Sequence, residues 1–82
     1  MKDFLIYLVS HIVEHQEDVR VEEIDSGGGS FQYTIQTNTE DIGKIIGKEG
    51  KIIQAIRNLA KVMAVKKGTQ VRIEIAEHQP EA

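Results

Sequence analysis

The sequence has no cysteine and no tryptophan, a single proline, and only four aromatic residues among its 82. Without cysteine there is no disulfide framework, no thiolate metal cage and no cysteine nucleophile. The lack of disulfides in so short a chain fits a reducing compartment, and the cytoplasm is the expected location. The aromatics, Phe4, Tyr7, Phe31 and Tyr33, form no block, so the stacking platform of an RRM or OB module is missing. No stretch nears the roughly 20 apolar residues that a membrane span needs. The opening run, MKDFLIYLVSHIV, carries one basic residue and an early acid, which speaks against a signal peptide. Hydrophobic residues make up 40% and charged residues 28%, an ordinary globular composition. One domain is expected over residues 1–78, with residues 79–82 as a frayed tail. A chain this small spends most of its apolar residues on the core, leaving little for a deep catalytic pocket.

Apolar residues at Leu5, Leu8, Val9, Ile12 and Val13 repeat at helical spacing, predicting a helix over residues 3–15. Residues 18–25 read as a strand. Val19 and Val21 alternate with Arg20 and Glu22, and Ile24 breaks the phase, as an edge strand or a bulge allows. Ser26–Ser30, with three consecutive glycines, fits a hairpin connection. Phe31, Tyr33 and Ile35 then share one face of a strand over residues 31–37. Thr39 is placed to cap a short helix carrying Ile42, Ile45 and Ile46. A longer helix follows from Lys51 to about Val65, with Ile52, Ile53, Ile56, Leu59, Ala60 and Met63 as its apolar stripe. Lys66, Lys67 and Gly68 supply the cations and the glycine that suit its end. A last strand spans Thr69–Glu77, with Val71, Ile73 and Ile75 inward. The order α-β-β-α-α-β predicts a two-layer α+β sandwich, three helices on a three-stranded sheet.

The chemistry concentrates in Ile45-Ile46-Gly47-Lys48-Glu49-Gly50-Lys51-Ile52-Ile53. Glycines at both ends of the turn let the backbone take positive φ and approach another backbone closely. The turn also presents the free N–H groups at the start of the second helix, which suits a phosphate. Lys44, Lys48 and Lys51 surround it, and the isoleucines offer aliphatic surface to unstacked bases. Nucleotide-binding loops fail on spacing. A Walker A loop needs glycine where Ile45 stands and a hydroxyl where Ile52 stands.

This stretch resembles the signature of the KH domain, whose G-x-x-G loop clamps about four nucleotides of single-stranded nucleic acid. The order of elements is similar to the type II arrangement of bacterial KH proteins, and the resemblance covers nearly the whole chain. It implies a type II KH fold and binding of single-stranded RNA, or of single-stranded DNA in its place, in the role of a bacterial RNA chaperone. It also implies self-association, or pairing with a second KH protein of the Jag (KhpB) type, through the apolar first helix or the strand edges. The RNA-binding set is Lys44, Ile45, Ile46, Gly47, Lys48, Glu49, Gly50, Lys51, Ile53, Arg57 and Arg72. Which of the isoleucines faces RNA, and whether Glu49 points toward the phosphates, is open at this point.

The formal net charge of −3 is an average. Residues 1–41 hold two basic residues against nine acidic ones, a net of −7. Residues 42–76 hold eight against two, a net of +6, and include the loop. Binding focused on one face is therefore expected, with the acidic remainder discouraging indiscriminate contact. His11-Ile12-Val13-Glu14-His15 matches the zinc-protease pattern H-x-x-E-H. It lacks a third ligand and a cleft. Neither a metal nor another cofactor is expected, and no catalytic constellation points to an enzyme.

Overall fold

The computed structural model describes residues 1–76 and contains six elements: α1 (Lys2–Ser10), β1 (Arg20–Gly27), β2 (Ser30–Gln36), α2 (Ile42–Ile46), α3 (Lys51–Lys67) and β3 (Gln70–Ile75). Single 3-10 turns occupy Gln16–Asp18, Thr39–Asp41 and Lys48–Gly50. The element order is the one read from the periodicities. The tail expected at residues 79–82 lies outside the described residues.

The strands form one sheet in the order β1-β2-β3. β1 and β2 are antiparallel, with Val21 opposite Ile35. β2 and β3 are parallel, with Tyr33 beside Ile73. The alternation in β2 therefore puts Tyr33 and Ile35 at the centre of the core, with Phe31 partly buried against it. Leu5 and Val9 from α1, Ile45 from α2, and Ile53, Ile56 and Ala60 from α3 close over them as the helical layer. β1 shows both irregularities that its broken phase allowed. It is an edge strand, and its register shifts between Asp25 and Gly27.

Three local differences from the sequence reading have physical causes. The first helix ends at Ser10, not residue 15. The amides of His11, Ile12 and Val13 still reach carbonyls of Leu8 and Val9. Those of Glu14 and His15 instead donate to the Asp41 carboxylate, at 3.2 Å to Oδ1 and 3.0 Å to Oδ2. Asp41 is fully buried, so a buried acceptor 26–27 residues away replaces the helical carbonyls. Thr39 is not the cap. Asn38 Oδ1 accepts from Glu40 N at 2.8 Å, one 3-10 turn before α2 begins. Finally, α3 runs on to Lys67 before Gly68 ends it in the left-handed region, φ 71° and ψ 28°. Its buried stripe is Ile53, Ile56, Ala60 and Ala64, while Ile52 and Leu59 lie on the outside.

Candidate nucleic-acid interface

α2 and α3 meet at the Gly47–Gly50 turn. The amide of Gly47 closes α2 by donating to Gly43 O at 2.8 Å. Gly47 itself has φ 77° and ψ 175°, a region that only glycine occupies readily. A Cβ at this position would run into the Ile52 side chain and lie 2.9 Å from its backbone nitrogen. The glycine thus lets the loop seat directly on the first turn of α3. Gly50 N then donates to Gly47 O at 3.1 Å, and Lys51 N to Lys48 O. Glu49 is the only non-glycine residue at positive φ among the described residues, at φ 58° and ψ 25°. That costs roughly 1–2 kcal/mol, and the flanking turn holds it there. The turn thus uses the amides of Gly50 and Lys51 internally as it leads into the 17-residue α3.

The side chains sort themselves around it. Lys48 and Lys51 are exposed beside the turn. Glu49 reaches back toward Lys51, Oε1 to Nζ 4.0 Å, an exposed contact worth little in water. Lys44 does not join them as a free cation. Its Nζ lies 3.6 Å from Asp41 Oδ1 and 3.8 Å from Glu14 Oε1, committed to the acidic N-terminal half. The isoleucines are now separated. Ile45 is 0% exposed and Ile53 is 8% exposed; both belong to the core and are withdrawn from the apolar wall. Ile46 at 37% and Ile52 at 38% remain accessible. Adjacent positions on a helix differ by about 100°, so each Ile-Ile pair sends one side chain in and one out.

A shallow groove of about 410 Å³ lies between α3 and β3. Arg57 crosses it, Nε donating to Ile73 O at 3.2 Å. Arg72 stands on the β3 side, 3.8 Å from Glu74. Gln54 and Asn58 line the same groove, joined by a 3.3 Å hydrogen bond from Nε2 to Oδ1. These two amides and Ile52 were missed in the sequence. The signal was present, because Lys51, Gln54, Asn58 and Lys61 recur at helical i, i+3 and i+4 steps.

Behind the loop, a titrating cluster fixes the start of α2. Burial acts to raise the Asp41 carboxyl, but the two amides it accepts, together with His15 and Lys44, hold it below the usual carboxylate range. The His15 imidazole is raised above its ordinary value by its 3.0 Å hydrogen bond to Glu40, with burial opposing and Asp41 and Glu17 adding to the rise. His11 faces elsewhere, its Nδ1 2.8 Å from Tyr7 O and its ring 4.5 Å from the tyrosine ring. With the helix ended at Ser10 between Tyr7 and His15, the two histidines of the H-x-x-E-H pattern do not share a helical face.

The outer surface of α3 is apolar as well as basic. Leu59, Val62 and Val65 are exposed, the last at 71%. The apolar residues of α1 are largely covered, Tyr7 excepted. No helix among the described residues is long and apolar enough to cross a membrane.

Three helices against one face of a mixed three-stranded sheet, with two of them joined by a glycine-bounded four-residue turn, define a KH domain of the type II order. A family model described as KhpA/KhpB, KH domain, matches residues 2–75, and the chain belongs to this family. A protein named RNA-binding protein KhpA from Chlamydia pneumoniae is 40% identical over 79 residues, covering 96% of this chain and 100% of the relative. The protein of that name from Chlamydia caviae is 42% identical over 77 residues, covering 94% and 97%. The Listeria monocytogenes serovar 1/2a protein of that name is 37% identical over 79 residues, covering 94% and 100%. These relatives bear the name of a binding protein and not of an enzyme. No solved structure gives a significant match.

Proposed function

We propose that this protein binds single-stranded RNA along the Gly47–Gly50 turn and the groove between α3 and β3. The observation that carries the reading is Gly47. Its close seat on Ile52 fixes the turn at the N-terminal end of a long helix, where N–H groups beyond those of Gly50 and Lys51 lack helical partners, with Lys48 and Lys51 exposed beside it. Phosphates sit on the N–H groups and on Lys48. Ile46 and Ile52 supply the apolar contact to bases, and Arg57 and Arg72 flank the bases further along. Lys44 contributes at longer range, since its ammonium is already paired. About four nucleotides fill such a site. Without an aromatic platform, affinity is modest and the site is short, as suits an RNA chaperone. The relatives named RNA-binding protein KhpA support the ligand class, and a cytoplasmic location is in keeping with it. A titration with an RNA octamer, followed by amide chemical shifts, tests this reading. Shifts concentrated at residues 46–54 and 71–74 support it, and shifts confined to α1 and β1 refute it.

A second reading rests on the exposed Leu59, Val62 and Val65 of α3. It makes this face, rather than α1, the contact with a second copy or with a Jag-type (KhpB) partner. Two copies on one RNA gain effective concentration, which offsets the shortness of a single groove. The two readings are compatible, since the apolar face and the Gly47–Gly50 turn are different surfaces.

A further inference from the structure

The Gly47–Gly50 turn hangs on a very short helix. α2 has five residues, Ile42–Ile46, and Gly47 follows it directly. So few residues do not hold a helix by themselves in water. One side chain of α2, that of Ile45, is buried. Asp41 stands at the N-cap, but its carboxylate caps no amide of α2. It accepts instead from the amides of Glu14 and His15. The start of α2 is therefore held from outside, by the segment that follows α1.

That hold is a row of contacts between residues 14–18 and residues 38–44. Asp18 Oδ2 accepts from Asn38 Nδ2 at 3.0 Å. The His15 ring meets Glu40 Oε1 through Nε2, also at 3.0 Å. Asp41 takes the two amides, and Lys44 Nζ lies 3.6 Å from Asp41 and 3.8 Å from Glu14. Of these groups, the imidazole is the one that changes charge near neutral pH. Its own segment also turns acids toward it. Glu17 Oε2 is 3.9 Å from Nδ1, and an oxygen of Asp18 lies within 4.8 Å of a ring nitrogen. Protonated, the ring carries an N–H on both nitrogens and a charge that offsets the carboxylates around it. Neutral, it loses that charge. The Lys44 ammonium then faces the carboxylates of Glu14, Glu17, Asp18, Glu40 and Asp41 alone. Glu40 holds the imidazole above its ordinary value, with burial opposing, so the charged form persists toward neutral pH.

Resting on the RNA reading above, we propose that His15 is a proton-operated latch on the RNA-binding turn. Protonated, it clips residues 14–18 to Glu40 and so holds α2 and the Gly47–Gly50 turn in the binding arrangement. Its deprotonation loosens the turn and weakens RNA binding. A bound polyanion favours the same charged state, so RNA and the proton each strengthen the binding of the other.

The test titrates the full chain with a rhodamine-labelled single-stranded RNA octamer, by fluorescence anisotropy at one ionic strength, at about pH 6 and about pH 8.5. Lysine and arginine contacts to phosphate keep their charge over this interval. The wild-type chain is expected to bind about two- to fivefold more weakly at the higher pH. His15→Gln keeps a donor for Glu40 without titrating, and Glu40→Gln removes the charge that clips the ring. Both should bring the two affinities to within about 1.5-fold of each other. His11, bonded to Tyr7 O, is the control, and His11→Gln should keep the wild-type dependence. In the free wild-type chain, the amide resonances of Gly47 and Gly50 should shift with the same midpoint as the His15 ring protons. An RNA affinity that ignores pH, or a dependence that survives in His15→Gln, overturns the latch and leaves RNA binding standing. So do turn amides that do not follow the His15 titration. Absence of RNA binding at both pH values overturns the RNA reading and the latch with it.

Discussion

Replacing Gly47 by alanine adds one methyl group where the backbone and a neighbouring side chain both refuse it. At φ 77° and ψ 175° the residue occupies a region that costs a non-glycine residue about 1–3 kcal/mol. The new Cβ would also lie 2.7 Å from Ile52 Cβ and 2.9 Å from its backbone nitrogen. The second obstacle cannot swing away, because it belongs to the first turn of α3. Overpacking of this kind costs about 1–3 kcal/mol. The two terms together give about 2–6 kcal/mol, which for a domain this size lowers the melting temperature by at least roughly 8 °C. Gly50 supplies the control. It too has positive φ, 76°, but a Cβ there meets nothing within 4 Å. Gly50→Ala therefore pays only the left-handed penalty of roughly 1–2 kcal/mol, partly offset by a less flexible unfolded chain. Thermal melts followed by circular dichroism at 222 nm read both. A Gly47→Ala protein melting within about 3 °C of wild type, or no lower than Gly50→Ala, would refute the reasoning that the loop is built on the contact between Gly47 and Ile52.

Four further outcomes follow from the structure. The imidazole of His15 is raised above its ordinary value of 6.5 by Glu40, so its stabilising contribution is complete below that pH and is lost as pH rises through the raised folded-state value. Melting temperature should therefore fall on the alkaline side of pH 6.5, and His15→Gln should remove that slope. Asp41 acts at the other end of the scale. Its stabilisation holds above 3.8 and is lost as acid takes the pH down through its lowered value, so Asp41→Asn should blunt the acid transition seen in the same melts. If the exposed face of α3 is the pairing surface of the second reading, Leu59→Asp combined with Val62→Asp should weaken self-association in sedimentation without lowering the melting temperature, since neither side chain is in the core. Glu49→Lys removes a carboxylate beside the turn and should raise RNA affinity several-fold at low salt, with the gain fading as salt is added.

The fold was legible because its elements repeat at clean periods and are bounded by glycines. Phe31, Tyr33 and Ile35 alternate on one strand, and Gly68 closes α3 with two lysines before it. What could not be read depended on partners far along the chain. The end of α1 is set by Asp41, and nothing between His11 and His15 announces a stop. The pairing of Lys44 with Glu14 joins residues 30 positions apart in the sequence. The loop itself was plain from spacing, but its walls were not. Two consecutive isoleucines satisfy a helical stripe in either order, so only the packing shows Ile45 and Ile53 inside with Ile46 and Ile52 outside. Arg57 was legible as a basic residue past the loop. Its hydrogen bond to Ile73 O, which gives it a fixed place in the groove, required the fold.

Whether the Gly47–Gly50 turn holds RNA can be decided with the variant in which Lys48 and Glu49 are both aspartate. These side chains are exposed and belong to no core contact, so circular dichroism should report an unchanged fold. The variant places two carboxylates where phosphates would lie. Fluorescence anisotropy with a single-stranded RNA octamer should show binding by the wild-type chain and none by the variant at the same salt concentration. Full affinity in the folded double variant would contradict the assignment of the turn as the RNA site.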